Sequence, residues 1–562
     1  MLEEIRTQVM YFLKNKLFIL SGILSAILGY GYLWTHSTCG IDDVSIDLYF
    51  ENGIGVAIGR WPYYLVNKII PIAEYTPFIG DFITVVVMLF AAIIWCVLLR
   101  MIIRTEISIW AYVAFVFMFM DYSINADIMM FYLQNGIGWV HLFSVLSLIC
   151  FWKLHKGEKD VKKQIITRCV VVGMLTIAIG FYESAANIFL TGALIVILLD
   201  LFVEKGASAF RGKGFLRGIL FVARYLIYAM IARRGIRAII MHIFPITPYA
   251  LYRNVSKLEW LTKGSIEDIW NKIGNLLAQI YCDYFAMGVV YYPIFIFVMT
   301  SLVYLFVLVI FSCKRKDFML LFVGMGMYAS VFTLCFIEGC TIYYRACQTF
   351  VIFVAVAFFA ITIGISQVGM LKRICVRIVI VILITYSVYD MNQWFVLDYE
   401  KTEYEMQVIN QIATELLNGN YNLKEKPVVF VGRFELTEEI YNQYCIGPEN
   451  FGWKIVAEAV MGAERYLEKR YSYEQSSNSI IDWSVHAFGT SCGYNIPIHQ
   501  LFEYQGYKFV KADDTKIKEV FDMYYIKDWE ERIYYVEEYN GAAEYPATGY
   551  IEEMDDCIVI RL

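Results

Sequence analysis

The chain of 562 residues is 59% hydrophobic and only 18% charged, against roughly 45–50% and about 25% in soluble domains. This balance, with a mean hydropathy of +0.54, excludes an ordinary soluble enzyme; apolar runs near 20 residues recur and point to a polytopic α-helical membrane protein. The net charge of −6 excludes little, because charge is sorted by loop, and no basic stretch suggests a nucleic-acid partner.

Eleven spans are predicted, beginning near Leu17, Phe82, Ile107, Gly136, Cys169, Asn187, Gly218, Phe285, Phe318, Thr349 and Ile378. The first is no cleavable signal: it is long, and an acidic loop follows it instead of a small-residue cleavage site. Lysine and arginine gather on alternate connections: Arg6 to Lys16, Arg100 and Arg104, Lys153 to Arg168, Lys205 to Arg217, Lys314 to Lys316, and Lys372 to Arg377. The positive-inside rule makes that side cytoplasmic. The N-terminus is then cytoplasmic, and the first loop (residues 36–80) and the C-terminal region are extracytoplasmic. Two domains are expected: a membrane domain over residues 1–392, and a small extracytoplasmic α/β domain over residues 393–562.

The first outer loop reads CGIDDVSIDLYFENG and holds Asp42, Asp43, Asp47 and Glu51 with no base. As a helix it would place Asp43, Asp47 and Glu51 on one face, where like charges repel. Water, a metal ion, a cationic ligand or nearby arginines must offset them. A carboxylate half shielded at a membrane rim holds its proton more tightly, which suits a general base acting on a hydroxyl. The plain alternative is a solvated acidic loop.

In AIGRWPYYLVNKIIP, Arg60 suits a lipid phosphate, while Trp61, Tyr63 and Tyr64 equally suit an aromatic belt. Asp121 and Asp127 mark the loop after the third span. His141, alone on an apolar span, is expected to be packed and hydrogen-bonded. IGFYESAAN puts Tyr182 and Glu183 at the outer end of the fifth span, where an ionisable group is a functional candidate or marks the water boundary. Arg233, Arg234 and Arg237 fall on an outer stretch, as does Arg345 in EGCTIYYRACQ. They could hold a phosphate together, or snorkel singly to headgroups. The thirteen cysteines show no zinc spacing; Cys340 and Cys347 could bridge, and free thiols are the simpler expectation.

Beyond about Gln393 the chain turns polar and tyrosine-rich. EKTEYEMQVINQIATELL has helical periodicity, with Met406, Ile409, Ile412 and Leu416 on one face. KPVVFVG, ERIYYVEEY and DCIVIRL read as strands. Trp453 and Trp483 suit either sugar stacking or core packing. No phosphate-binding loop or dinucleotide fingerprint appears. An activated substrate outside the cell is therefore expected to be carried by a lipid.

The stretch GIDDVSIDLYFENGIGVAIGRWPYYLV, with its aspartate pair after the first span and its GRW at Gly59 to Trp61, resembles the bacterial serotype-converting O-antigen glucosyltransferase II family. FYES, and the closing EYPATGYIEEMDDCIVIRL, are similar to it too. Glu183 departs from the family pattern, where a glutamine is expected. The resemblance implies a type C (GT-C) glycosyltransferase of the bacterial cytoplasmic membrane. Its donor would be an undecaprenyl-phosphate hexose, with glucose expected. Its acceptor would be a hydroxyl of a cell-surface glycan or glycolipid. Asp42 or Asp43 would be the base of an inverting displacement, with Asp42 favoured. Arg60 and Arg345, then Arg233, Arg234 and Arg237, would bind the donor phosphate, and Asp47, Trp61, Tyr182 and Glu183 would contact substrate. No cofactor is required; a divalent cation on Asp43 and Asp47 is optional. The alternatives are a lipid-linked sugar flippase, favoured by mid-membrane charges, and a polymerase or ligase using diphosphate donors.

Overall fold

The computed structural model describes residues 2–36, 38–41, 43, 53–69, 78–131, 136–156, 160–204, 208–244, 246, 264–281, 295–365, 369–442, 455, 458–459, 462–463, 479–486, 495–524 and 543–562. A short helix α1 (Leu2–Leu13) leads into α2 (Lys16–Thr35), whose first turn is capped by Asn15 Oδ1 accepting from the Phe18 N–H at 3.1 Å. The connection after α2 contributes α3 (Ile54–Ala57) and α4 (Trp61–Ile69). Then come α5 (Ile79–Ile103), α6 (Ile109–Met120), the short α7 (Ile124–Met129), α8 (Ile137–His155), α9 (Val161–Phe181), α10 (Ser184–Glu204) and α11 (Lys213–Ile243). The remaining membrane helices are α13 (Phe295–Arg315), α14 (Phe318–Ser330), α15 (Thr333–Glu338), α16 (Gln348–Ile365) and the start of α17 (Met370–Asn418), with α12 (Ile266–Gln279) lying between α11 and α13.

Eight of these helices are long and apolar enough to cross a membrane; α6, α14 and α16 are shorter apolar helices. An apolar helix lies at every one of the expected spans, although the expected start near Phe285 falls outside the described residues. The helices pack through one large buried core, while Leu20, Ile23 and Leu24 of α2 and Leu302 and Phe306 of α13 stay exposed as a lipid-facing surface would. The chain is a multi-pass helical membrane protein with a small sheet.

Basic groups meet acids at one end of the bundle. Lys156 Nζ lies 2.7 Å from Asp200 and 3.1 Å from Glu204, Arg104 reaches Glu204 at 3.6 Å, and Arg211 pairs with Asp317. The 21 residues of α9 carry the chain about 31 Å away, to Tyr182 and Glu183 at the other end.

Two helices outrun the bilayer. The 31 residues of α11 span about 46 Å, against a hydrocarbon core of about 30 Å. The outer stretch expected to open at Ala232 is therefore helical as far as Ile243, and Arg233, Arg234 and Arg237 sit on the last turns of α11. Helix α17, at 49 residues, continues unbroken past Gln393. Of the face expected from periodicity, Ile409, Ile412 and Leu416 are at 0% exposure and Met406 is half-buried. It packs against α18 (Ile480–His486), α19 (Ile496–Tyr504), α20 (Asp514–Tyr524) and a sheet of β1 (Val428–Val431), β2 (Ile551–Glu553) and β3 (Ile558–Arg561). The strand order is β1–β3–β2, with β1 parallel and β2 antiparallel to β3. Strands in KPVVFVG and DCIVIRL are as expected; ERIYYVEEY and Trp453 lie outside the described residues. Cys340 and Cys347 are free thiols.

Two buried groups give this C-terminal region opposing pH responses. Burial lowers His499 from 6.5 to about 4, against its hydrogen bond to the Val428 carbonyl at 3.0 Å. Burial raises Asp482 from 3.8 to about 7, against the pull of Arg433 and the Phe434 N–H. Below pH 6.5 the unfolded histidine takes up a proton that the folded one refuses, so His499 costs stability as pH falls. Folded Asp482 keeps a proton that the unfolded one loses, so it costs stability as pH rises from 3.8 to about 7. Removing either group should unmask the other. Asp482→Asn should make β1 more stable from about pH 4 up to 6.5, and His499→Gln should make it less stable over the same range. Hydrogen exchange of Val428–Val431, corrected for intrinsic rates, reads both slopes.

Candidate functional site

The site begins where α2 ends. The Asp43 N–H donates to the Gly40 carbonyl at 2.9 Å, and Asp43 Oδ2 accepts from the Gly40 N–H at 2.9 Å. This closes a tight turn at Gly40–Asp43; the acidic helix expected from Asp43 to Glu51 falls outside the described residues beyond Asp43. Asp43 is 1% exposed, so it is no solvated loop residue. A Cβ on Gly40 would stand 2.9 Å from Asp43 Oδ2, 3.0 Å from Phe131 Cδ1 and 3.1 Å from the Met130 carbonyl. Only glycine lets the turn press against the chain leaving α7. Asp42, Asp47 and Glu51 lie outside the described residues.

Across Phe131 lies Arg345, on a single 3₁₀ turn (Tyr344–Ala346). Its guanidinium sits 4.5 Å from the Phe131 ring centroid and 4.4 Å from that of Tyr343, within cation–π range. Its backbone N–H donates to Asp127 Oδ2 at 2.7 Å, and its Nη1 lies 4.0 Å from Oδ1. Burial pushes the Asp127 carboxyl up, and Arg345 only partly restores it. The two residues are 218 apart in sequence. Asp121, by contrast, caps α6 inside the bundle, 1% exposed, and accepts from Ser25 Oγ at 2.8 Å. His141 is buried and meets Gln348 at 3.1 Å, as expected.

The third part joins α4, α9 and α11. Glu183 lies between two guanidinium groups: Arg233 Nη2 is 2.5 Å from Oε1, and Arg60 Nε is 3.8 Å from Oε2. Burial pushes the Glu183 carboxyl up, but Arg60 and Arg233 outweigh it and hold it below the ordinary carboxylate range. The departure from glutamine thus supplies a counter-charge. Its side chain keeps 39% of its surface open, so water reaches it, and the pairing is screened. Arg233 also donates from Nε to the Gly59 carbonyl at 3.2 Å and from Nη2 to that of Ile58 at 3.1 Å. Two of its five donors are thereby committed to the loop that carries Arg60, and a third to Glu183. Arg60 lies 4.8 Å from the Tyr182 ring centroid, and Tyr182 stands within electrostatic range of Arg60, Arg345, Glu183 and Asp127.

Two glycines permit this approach. Gly59 has φ +97°, and a Cβ there would meet the Arg233 guanidinium, with Cζ at 2.7 Å. A Cβ on Gly180 would lie 2.7 Å from Pro62 Cγ and 3.0 Å from Trp61 Nε1. Gly59→Ala is expected to strain the loop by about 1–3 kcal/mol and dislodge Arg233. Thermal unfolding of the purified protein, compared with Arg233→Met and the double variant, checks this: the two effects should be strongly non-additive.

The structure therefore gathers Asp43, Arg345, Tyr182, Glu183, Arg60 and Arg233 at one end of the bundle. Arg237, one turn beyond Arg233, is half-buried, and its Nε has no hydrogen-bond partner among the described residues. Arg234 is exposed and turned about 100° from Arg233. Trp61, Tyr63 and Tyr64 are buried with Val56, Ala57 and Ile240; they form a small core, not a lipid-facing belt, because α4 folds back under the end of α11. Among the described residues no group of three or more His, Cys, Asp or Glu could hold a metal ion; Asp47 lies outside them. Asp127 stands in the sequence only as a loop residue, and nothing local announces its pairing with Arg345.

The arrangement can bind an anion between arginines, beside a shielded carboxylate. No curated protein and no solved structure matches the chain. The family model described as Glucosyl transferase GtrII matches residues 31–363. That region runs from the end of α2 through most of α16, holds every residue just gathered, and stops short of the C-terminal region and its closing segment. With more than half of its length matched, the chain belongs to the glucosyl transferase GtrII family.

Proposed function

We propose that the protein is a GT-C glycosyltransferase that moves glucose from undecaprenyl-phosphate glucose to a hydroxyl of a surface glycan or glycolipid, on the outer face of the bacterial cytoplasmic membrane. The observation that carries this reading is the buried Asp43 turn, separated by one aromatic ring from Arg345 in a cluster that also holds Arg60 (4.5 Å from Arg345 to the ring). Asp42 or Asp43 takes the acceptor's proton as its oxygen attacks the anomeric carbon. The bond from that carbon to the phosphate oxygen breaks, its electron pair leaves with the lipid phosphate, and configuration inverts. Arg60 and Arg345 stabilise the charge growing on the phosphate, with Arg237 in reserve. Such preorganised charges act most strongly where water is scarce. Arg233 and Glu183 hold the Arg60 loop. A divalent cation is optional, since the leaving group is a monophosphate and arginines face it.

The test supplies vesicles containing the protein with undecaprenyl-phosphate glucose and an acceptor glycan. Transfer releases free lipid phosphate and creates a glycosidic bond. Movement of intact lipid-sugar with no new bond makes the protein a flippase and ends this reading; activity with diphosphate donors alone makes it a polymerase or ligase.

A further inference from the structure

Four residues of α17 point into protein at a spacing that puts them on one helical face: Asp398, Lys401, Thr402 and Glu405, all at or below 9% exposure. A buried lysine is rare unless paired. Lys401 Nζ lies 3.5 Å from Asp398 Oδ1. Asp398 accepts a hydrogen bond from the Thr38 side chain, just ahead of the acid turn. Glu405 accepts from Ser479 Oγ at 2.6 Å and from the Ile481 N–H at 3.1 Å, so it caps α18.

The acid turn rests on this face. Cys39 is buried in the core of the C-terminal region, and Ile41 packs against it. The Cys39 thiol feels four charges together: Asp43, Asp398, Glu405 and Lys401. Asp398 in turn stands within electrostatic range of Asp127, the partner of Arg345. The turn bearing Asp43 is thus seated on the stem of the C-terminal region as well as on the membrane bundle. Among the described residues, three carboxylates and one ammonium lie within electrostatic range of Cys39, and removing the cation from such a buried group is strongly disruptive.

We propose that Lys401 is a positioning residue: its buried ammonium holds Asp398 and the Cys39–Asp43 turn against α17, so that the stem forms one wall of the reaction site. This rests on the reading of the acid turn as the base. The C-terminal region then acts by shaping the site, whatever it does toward the acceptor.

The test uses the full-length protein in lipid nanodiscs with undecaprenyl-phosphate glucose and an acceptor glycan. Lys401→Met should lower kcat about 10²-fold, as expected of small misplacements of a catalytic group, and leave the donor KM near its wild-type value. Maleimide labelling of Cys39, followed on its own peptide by mass spectrometry, should accelerate. Lys401→Arg should restore most of kcat and keep Cys39 protected. If Lys401→Met does not fold, Lys401→Gln carries the same readings. Wild-type kcat in the neutral variant overturns the proposal, as does a loss that arginine fails to rescue while Cys39 stays protected. Full activity in both Asp42→Asn and Asp43→Asn would defeat the base reading alone, because Cys39 protection still reports the anchoring.

Discussion

Replacing the proposed base, Asp42 or Asp43, with asparagine is expected to lower glucosyl transfer by about 10²–10⁴-fold, the usual contribution of a positioned general base. Asp42→Asn and Asp43→Asn are to be made separately and together. Asparagine keeps the shape of the side chain but cannot accept a proton from the acceptor. At position 43 its amide oxygen can still accept from the Gly40 N–H, now at 2.9 Å, so the turn should survive. The loss should therefore appear in kcat with little change in the donor KM. The member of the pair whose variant loses least is the supporting residue. Initial rates with purified protein, beside its thermal unfolding temperature, separate lost chemistry from lost fold.

The second large effect is expected at the arginines. Arg60→Ala and Arg345→Ala should each lower kcat by about 10²–10³-fold, as removal of one preorganised donor does elsewhere. Their secondary effects should differ. Arg345→Ala leaves the backbone N–H bond to Asp127, at 2.7 Å, but strips the buried acid of its nearest cation. Arg60→Ala leaves Glu183 paired with Arg233 at 2.5 Å, so the loop should stand. Arg345→Lys should recover little, since a point charge cannot reproduce the planar group stacked on Phe131 and Tyr343. Arg234→Ala, exposed and off the cluster, should stay near wild type. Donor-dependent kinetics on this set checks the ranking; equal losses at Arg60 and Arg234 would remove Arg60 from the site.

Much of this arrangement is legible in the order of the amino acids. Span positions follow from local apolar runs, and the buried face of α17 from a simple period. The aspartate pair and Arg60 stand in one short segment, so their proximity is readable. Arg345 and Glu183 are recognisable as isolated charges in apolar surroundings. Pairing across distance is what the sequence hides. Arg345 with Asp127, Arg233 with Glu183, and Cys39 with α17 are joined only once helices pack. The arginines near the end of α11 look like a loop because polarity marks where lipid ends, not where a helix ends. Trp61, Tyr63 and Tyr64 mislead for a related reason: interfacial aromatics and a small buried core share one composition.

The most direct measurement is a cryo-electron microscopy structure of the protein with undecaprenyl-phosphate glucose. The account predicts the donor phosphate within hydrogen-bonding distance of Arg60 and Arg345, and the Asp42–Asp43 pair facing the anomeric carbon on the side opposite the phosphate. A donor bound elsewhere, with Asp43 still folded onto Gly40 and both acids turned from the sugar, would contradict it.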